Sequence, residues 1–309
     1  MPSVLRRPIV TAGVIALTLG AAAACGSSSS GGTSPGGGST VSPASSSAGT
    51  NAAAVSEVPA DISSKGTLVV AADASYAPDE FLASDGTTVQ GMDADLAQAI
   101  GKELGLTVKV ENITFDSIIP GLVDGRYDLG MSSFTDNKTR EEQVNFVDYF
   151  SAGTSFFEKS AGGPAVTDLN SLCGLKVSVE SGTTEESDAK GQSKTCTTAG
   201  KSAVDVESFP TQSAANLALS SGRADVSMAD SPVAAYQVKQ SNGVFKLVGA
   251  SYGTAPYGIA VPKTDGTLDL AIQDALTAVI SNGTYAQILA KWGLTSGGIT
   301  TPGINGAIS

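Results

Sequence analysis

The sequence predicts an α/β protein built from two similar lobes. Apolar runs typical of buried strands, such as 67–72 and 175–179, alternate with segments of helical spacing, which favours a mostly parallel sheet covered on both faces. A weak internal repeat also indicates two lobes: 122–131 (LVDGRYDLGM) and 219–228 (LSSGRADVSM) share five residues at matching places, 97 positions apart. Each copy reads as the end of a helix, a glycine stop and a strand.

The strand and helix signals follow one another along the chain. In the first lobe, Asp93 is expected to cap a helix that stops at Gly105, and Asp116 to cap a second helix that stops at Gly125. Helical spacing over 268–289 is interrupted near 282–283. With 41% hydrophobic residues, the 309-residue chain can bury a sizeable core.

The N-terminus has the pattern of an export signal. Arg6 and Arg7 precede an apolar run, 9–24, that is too short to span a bilayer comfortably. The small residues before Cys25 resemble a bacterial lipobox, although Ala22 replaces the usual leucine. We predict a lipoprotein signal peptide over 1–24 and an exported protein, lipid-anchored through Cys25 to the outer face of the cell membrane. An ordinary signal peptide with a chance cysteine is the alternative.

Composition predicts the other boundaries. Residues 25–61 are mostly Ser, Gly, Ala, Thr and Pro, which indicates a flexible tether. Lobe 1 is predicted over 62–154 plus 250–296 and lobe 2 over 155–249. The glycine-rich segment 297–309 is expected to be a disordered tail.

Charge and cysteine content restrict the function. The formal net charge is −12 and histidine is absent, which argues against nucleic acid as a partner and against serine triads and the usual zinc sites. We predict no catalytic residue, no metal and no cofactor. Cys173 and Cys196 are an even remainder in an exported chain, which suggests a disulfide worth about 3 kcal/mol. Two buried free thiols are the alternative.

The stretch 127–140 (YDLGMSSFTDNKTR) reads as a short strand that ends in hydroxyls and an arginine. Loops at strand ends are where α/β proteins place ligand groups. Ser133, Thr135 and Arg140 make a plausible clamp for a small carboxylate, because a guanidinium can hold both oxygens at once. A polar turn followed by a surface arginine is the alternative.

The second lobe offers two comparable positions. Residues 181–186 (SGTTEE) read as a helix start. Either its free N–H groups receive a ligand carboxylate, or its threonines form a capping motif that serves only the helix. Asp230 follows the strand of the second repeat and precedes Pro232, so it is either a ligand group or an N-cap. Ligands of such proteins lie in the cleft between facing strand ends.

Taken in order, the motifs resemble the family 3 solute-binding proteins, the polar amino-acid receptors of ABC importers, over about 66–294. Segment 91–96 (GMDADL) is similar to the family's G-F-D-x-D-L signature, and the GRYD, SGT, NGTY and KWG segments and the cysteine pair also fit. The resemblance implies a two-lobe, type II periplasmic-binding-protein (Venus-flytrap) fold with two hinge-crossing segments, closing around one amino acid.

The resemblance also implies roles for individual residues. Arg140 takes the α-carboxylate, Asp230 takes the α-ammonium from the opposite lobe, and Asp73 lies at the side-chain region. With Asp73, the acids Glu180 and Glu185 favour a cationic or amide side chain, and Glu185 is also a candidate competitor for Arg140. For Glu180, Glu185 and Asp79 alike, surface charge is the alternative to ligand contact. The predicted ligand-binding residues are Asp73, Tyr76, Phe115, Ser132, Ser133, Thr135, Arg140, Thr183, Thr184, Glu185 and Asp230.

The predicted function is a monomeric extracytoplasmic receptor that binds one polar L-amino acid and delivers it to the permease subunits of an ABC transporter. Relatives of this fold include dehydratases, so turnover of a prephenate- or arogenate-like substrate is an alternative, with Glu185 as its acid or base. An amino-acid-sensing lipoprotein without a transport role is another. A purely structural lipoprotein would show no ligand-induced rise in melting temperature.

Overall fold

A computed structural model describes residues 49–308. The predicted signal peptide, the predicted lipidation site Cys25 and the tether up to residue 48 lie outside this range. Within it, every helix is too short or too polar to cross a membrane.

Ten helices and eleven strands are described in this range. The helices are α1 (Ala52–Glu57), α2 (Ala60–Lys65), α3 (Met92–Leu104), α4 (Ile118–Val123), α5 (Lys138–Glu141), α6 (Thr184–Thr198), α7 (Gln212–Ser221), α8 (Ser231–Gln240), α9 (Leu268–Ser281) and α10 (Thr284–Trp292). The strands are β1 (Thr67–Ala72), β2 (Ser75–Tyr76), β3 (Glu80–Leu82), β4 (Val89–Gln90), β5 (Thr107–Asn112), β6 (Leu129–Gly130), β7 (Val144–Lys159), β8 (Lys176–Glu180), β9 (Asp205–Phe209), β10 (Val226–Asp230) and β11 (Phe245–Pro262).

Eight of the strands form one sheet in the order β5-β1-β6-β11-β7-β10-β8-β9, and β2, β3 and β4 form a small second sheet. β1 pairs in parallel with β5 and β6, and β8 pairs in parallel with β9 and β10. Between these halves, β7 and β11 pair antiparallel with each other. We call the half with β5, β1 and β6 lobe 1, and the half with β10, β8 and β9 lobe 2.

The two long strands explain how one sheet serves two lobes. β7 has 16 residues and β11 has 18. At about 3.3 Å per residue, each is about 50–60 Å long, which is enough to run through both halves. The predicted α/β fold with two lobes and two connecting segments is therefore confirmed.

Apolar side chains cover the sheet on both faces. In lobe 1, Leu96 of α3 and Leu276 of α9 are fully buried in one cluster. In lobe 2, Val177 of β8 packs in a second cluster against α6. A third cluster joins the lobes, because it contains Phe115 of lobe 1 and Leu219 of lobe 2. The lobes are therefore in contact in this structure.

The two copies of the repeat build the same joint. α4 and α7 each end before a glycine in the left-handed region, Gly125 at φ 69° and Gly222 at φ 79°, where other residues are strained. Three residues later, the carboxylate of Asp128 accepts a hydrogen bond from an N–H of β1 (2.6 Å), and that of Asp225 accepts one from an N–H of β8 (2.9 Å). The repeat read from the sequence is thus a repeat of structure.

The folded part starts earlier than the sequence predicts. Residues 51–61 were assigned to the flexible tether, but α1 and α2 lie on lobe 1 with Ala54 and Ile62 buried. Asn51 caps α1, and its N–H donates to the carbonyl of Glu103 (2.8 Å). The composition of this segment is poor in large apolar residues, yet one buried side chain per short helix suffices when it inserts into an existing core.

The chain also stays ordered further than the sequence predicts. The segment 297–309 was expected to be a disordered tail, but Gly298 and Ile304 bridge to β7, and the N–H of Asp148 donates to Gly303 (2.9 Å). The side chain of Asn305 accepts from another N–H of β7 (2.8 Å). These bonds are mostly to the main chain, so glycine-rich composition does not exclude them.

Two expected helix caps are wrong, and the disulfide is confirmed. The N-cap position of α3 is Gly91, while the Asp93 carboxylate accepts from the N–H of Ser133 (3.0 Å) and from a tyrosine hydroxyl. Asp116 lies within a short 3-10 turn before α4 and does not cap that helix. Cys173 and Cys196 are bonded, which ties α6 to the segment before β8.

Candidate functional site

A small cavity lies between the lobes, where the ends of β6 and β10 face each other. Its volume is about 10 Å³, room for about one water molecule, so the lining side chains nearly fill the space between the lobes. Of the eleven residues predicted to bind ligand, the cavity brings together ten and leaves out Asp73. Its lining consists of Tyr76, Phe115, Ser132, Ser133, Thr135, Arg140, Thr183, Thr184, Glu185, Gln212, Ala229 and Asp230.

Arg140 is the one cationic side chain in this lining. It lies on the short helix α5, which begins after the N-cap Asn137. Its guanidinium donates to the carbonyl of Thr135 in lobe 1 (2.8 Å) and to the carbonyl of Gly182 in lobe 2 (3.1 Å). The alternative of a surface arginine is therefore wrong: Arg140 is buried and bridges the cleft.

Aromatic rings hold the guanidinium in place. Its central carbon lies 5.2 Å from the ring centroid of Phe115 and 5.3 Å from that of Phe134, within cation–π range. Burial lowers the pKa of Arg140, and the nearby carboxylates of Glu185 and Asp230 oppose this effect. An arginine keeps its charge in a folded protein, so the cavity contains a fixed positive group.

Asp230 enters the cavity from lobe 2, at the end of β10. It occupies the N-cap position of α8, but its side chain makes no capping hydrogen bond, so the carboxylate does not serve the helix. Burial, followed by repulsion from Glu185, raises the pKa of Asp230 well above its ordinary value. A cation placed against this carboxylate would lower the pKa again.

Glu185 is buried but does not pair with the arginine. Its two carboxylate oxygens accept hydrogen bonds from the hydroxyls of Thr154 (2.8 Å) and Thr184 (3.1 Å). Thr183 caps α6 by accepting from the N–H of Glu186 (3.1 Å). Of the two interpretations of the helix start, capping is therefore observed, and Glu185 is held away from an ion pair with Arg140.

The serines after β6 already have partners in this structure. The hydroxyl of Ser132 donates to Glu80 (2.8 Å) and accepts from the N–H of Asp73 (2.9 Å), and the hydroxyl of Ser133 donates to Asp79 (3.0 Å). Burial, followed by repulsion from the buried carboxylate of Asp93, raises the pKa of Asp79 and Glu80 well above their ordinary values. These serines therefore line the cavity but direct their hydroxyls toward buried acids.

Asp73 and Glu180 lie beside the cavity, one in each lobe. Asp73 is 2% exposed and accepts from the N–H of Phe115 (3.1 Å). Glu180, at the end of β8, is 1% exposed, and burial followed by repulsion from Asp73 raises its pKa to about 10. The alternative that Asp79, Glu180 and Glu185 are surface charges is wrong.

Two lining residues were missed from the sequence. Gln212 follows the N-cap Thr211 at the start of α7, directly after β9, so it occupies the same strand-end position as the predicted residues. Ala229 precedes Asp230 and contributes a methyl group, which no sequence pattern marks as a ligand contact.

The comparisons with known proteins agree with this architecture. The family model of the bacterial extracellular solute-binding proteins, family 3, matches residues 68–295. The chain belongs to that family.

Three relatives show how similar the match is. The arginine-binding protein ArgT of Corynebacterium glutamicum is 34% identical over 241 residues, 78% of this chain and 78% of the relative. An ancestral arginine-binding protein, solved bound to glutamine, has a TM-score of 0.68 and 38% identity, covering 74% of this chain and 98% of that one. The ancestral amino acid-binding protein AncCDT-1, described as a precursor of cyclohexadienyl dehydratase, has a TM-score of 0.67 and 34% identity, covering 75% and 97% of the two chains.

Proposed function

We propose that this chain is the extracytoplasmic receptor of an ABC importer and binds one polar L-amino acid between its lobes. The observation that carries the proposal is the site between the lobes, to which lobe 1 contributes the buried guanidinium of Arg140 and lobe 2 the half-buried carboxylate of Asp230. We call Arg140 and Asp230 the clamp.

The clamp matches the two charged ends of an amino acid. The α-carboxylate is placed against Arg140 and the α-ammonium against Asp230, so each buried charge gains an opposite, hydrogen-bonded partner. Arg140 then exchanges one or both of its carbonyl partners for the α-carboxylate of the ligand, which is a stronger hydrogen-bond acceptor than a carbonyl. Because the ligand contacts both lobes, it binds the closed arrangement better and shifts the population toward it.

Charge in and around the cavity favours a cationic or amide side chain. Among the residues lining it, Asp230 and Glu185 accompany the single arginine, and the buried acids Asp73 and Glu180 lie adjacent. The names of two relatives support the same class, since both are arginine-binding proteins and one of them was solved with glutamine.

The membership of an extracellular family supports the proposed location. Delivery to a permease, attachment through a lipid on Cys25 and a monomeric state are further parts of the proposal. In this scheme the closed, ligand-loaded receptor is the form that the permease recognises.

The test is a thermal-shift screen against the twenty amino acids plus ornithine and citrulline, followed by calorimetry. A true ligand at a hundred times its Kd should stabilise by about 2.7 kcal/mol and raise Tm by about 5–10 °C, with one site per chain. The α-amide and the N-acetyl derivative of the best ligand each lack one charged end and should bind far more weakly. No shift with any amino acid, or turnover of prephenate or arogenate in the same preparation, would contradict the proposal.

A further inference from the structure

The last part of the described chain lies along an edge of the sheet in lobe 1. β7 pairs with β11 on one side, and on its other side β10 pairs with it only over 154–158. Residues 298–308, which we call the strap, occupy the edge that β10 leaves open, where Ile304 forms an antiparallel bridge to Val147. An open strand edge exposes unpaired main-chain groups, so the strap supplies partners where β10 does not reach.

Several hydrogen bonds anchor the strap. The N–H of Asn305 donates to the carbonyl of Phe146 (2.9 Å), and the side-chain oxygen of Asn305 accepts from the N–H of the same phenylalanine (2.8 Å). The carbonyl of Pro302 accepts from the side chain of Gln273 on α9 (3.0 Å). The strap is therefore attached to β7 and to α9 before it reaches its last residues, 306–308.

The strap ends beside the helix that carries the arginine of the clamp. Its backbone passes so close to the carboxylate of Asp148 that a Cβ on Gly306 would overlap this group. The N–H of Ala307 donates a long hydrogen bond to the carboxylate of Glu141 (3.4 Å). Glu141 is the last residue of α5 and directly follows Arg140. The strap thus contacts two acids, one on β7 and one next to the clamp.

A third acid, Asp136, connects these two. It follows Thr135, whose carbonyl accepts from the guanidinium of Arg140, and it is 1% exposed. Its carboxyl group faces those of Asp148 and Glu141, and burial followed by repulsion from Asp148 raises its pKa to about 7. A carboxyl group that keeps its proton can donate it to a neighbouring carboxylate. Below that pH, the three acids therefore link both ends of the segment 135–141 to β7 and the strap.

Another contact at the end of α5 is an exposed ion pair. The ammonium of Lys138 lies 3.0 Å from the carboxylate of Glu141, and the lysine side chain is 58% exposed. Such pairs contribute little, because water screens both charges and two long side chains lose freedom. The position of α5 therefore needs the buried acids and the strap as well.

We propose that the strap positions Arg140 for its ligand. By holding Glu141 and the carboxylate of Asp148, it fixes the segment 135–141 in the arrangement that presents the guanidinium to the cavity. The inference rests on the proposed amino-acid-binding function and assigns to that site a positioning element outside the cavity. If the end of the strap moves away, α5 can shift, and the hydrogen bonds from Arg140 to the ligand carboxylate lengthen or are lost. The rest of the ligand keeps its contacts.

The experiment displaces the end of the strap by one methyl group. Gly306→Ala places a Cβ against the carboxylate of Asp148, whereas the control Gly191→Ala places the same group in open space on α6. By calorimetry at pH 6, Gly306→Ala should bind L-arginine about tenfold more weakly than the natural protein does, because charge-assisted hydrogen bonds depend on geometry. L-Argininamide lacks the carboxylate, so its affinity should change less than about twofold. Gly191→Ala should change neither affinity.

Hydrogen exchange tests the same contact without a ligand. The amides of α5 should exchange at least about threefold faster in Gly306→Ala than in Gly191→Ala, because the helix then opens more often. Asn305→Gly suits the left-handed φ of 54° at this position but removes the side-chain anchor to Phe146. It should reproduce both the exchange result and the affinity result.

The outcomes separate the strap from the receptor function. Unchanged affinity for L-arginine, equal losses for L-arginine and L-argininamide, or unchanged exchange in α5 overturns the positioning role and leaves the receptor function in place. If another amino acid binds and L-arginine does not, that amino acid and its α-amide replace the two probes. Binding of no amino acid by the natural protein overturns both proposals.

Discussion

The two copies of the repeat, 122–131 in lobe 1 and 219–228 in lobe 2, form the same joint and then lead to opposite charges. In both, a helix ends at a left-handed glycine and an aspartate side chain fixes the next strand to its neighbour. Beyond the strand, lobe 1 continues through two serines to Arg140, whereas lobe 2 reaches Asp230 two residues after the repeat ends.

The two ends also differ in how their charges are satisfied. Arg140 has two carbonyl partners and two aromatic neighbours, so it is stable in the closed structure without a ligand. Asp230 makes no capping bond, and burial raises its pKa. The same local scaffold, used twice, therefore provides a preorganised cation in lobe 1 and, in lobe 2, a carboxylate whose charged form a bound cation would stabilise.

The largest expected effect is at the lobe 1 end. Arg140→Ala leaves Asp230 and the ligand carboxylate without the buried cation, and a buried charge pair broken on one side costs about 3–5 kcal/mol. Calorimetry should show amino-acid affinity reduced at least about a hundredfold, with the fold intact by circular dichroism. Arg126→Ala, at the exposed arginine of the repeat, is the control. If Arg140→Ala bound amino acids with an affinity near that of the natural protein, Arg140 would not be part of the clamp.

The lobe 2 end should show a somewhat smaller effect. Asp230→Asn keeps a hydrogen-bond acceptor but loses the charge, so we expect a loss of about 1.5–3 kcal/mol in binding free energy. If Asp230 holds the α-ammonium, the loss should be similar for every amino acid that binds. Losses restricted to some side chains would instead place Asp230 in the side-chain subsite. Asp124→Asn, at an exposed aspartate, serves as the control.

The shared joint can be tested independently of the ligand. Asp128→Ala removes a hydrogen bond to β1 and an ion pair with Lys65, so urea denaturation should show a loss of about 1.5–3 kcal/mol. Asp225→Ala removes the more exposed equivalent and should cost about 1 kcal/mol. Neither variant should change ligand affinity under conditions where it is folded. A change in affinity without a change in stability would show that the joint is not merely structural.

The smallest expected effect is a pH dependence specific to the lobe 1 end. Both oxygens of Asp136 lack a hydrogen-bond partner, and burial followed by repulsion from Asp148 raises its pKa to about 7. Because the folded pKa of Asp136 lies above its unfolded value, the contribution of this group to the free energy of unfolding is greatest below about pH 4. That contribution is lost as the pH rises through about 7.

Ligand-free protein should therefore be more stable at pH 5 than at pH 7.5. Asp136→Asn should reduce that difference by roughly 1 kcal/mol, since one pKa unit corresponds to about 1.4 kcal/mol and the neighbouring Asp148 and Glu141 share the titration. The measurement is the free energy of unfolding in urea across this pH range, again with Asp124→Asn as the control. If the free energy of unfolding changes equally with pH in Asp136→Asn and in Asp124→Asn, the pH dependence belongs to other acids.

The sequence by itself determined many of the regular elements and supplied the two residues proposed as the clamp. β1 spans the apolar run 67–72, and the break between α9 and α10 falls at the predicted 282–283. Both depend on local rules, namely period, glycine and caps, which act over a few residues. The family motifs are local in the same way, so Arg140 and Asp230 could be proposed from their positions after two similar strands, and both line the cavity.

Only the tertiary structure decided what faces the cavity and what lies behind it. Ser132 interacts with Asp73, 59 positions away in the chain, and Glu180 approaches Asp73 of the other lobe. The same holds for α1, α2 and the final segment, whose composition predicted disorder but whose partners lie in distant strands. Whether a side chain is paired, buried or free depends on contacts made when the chain closes, and these leave no periodic signal in the sequence.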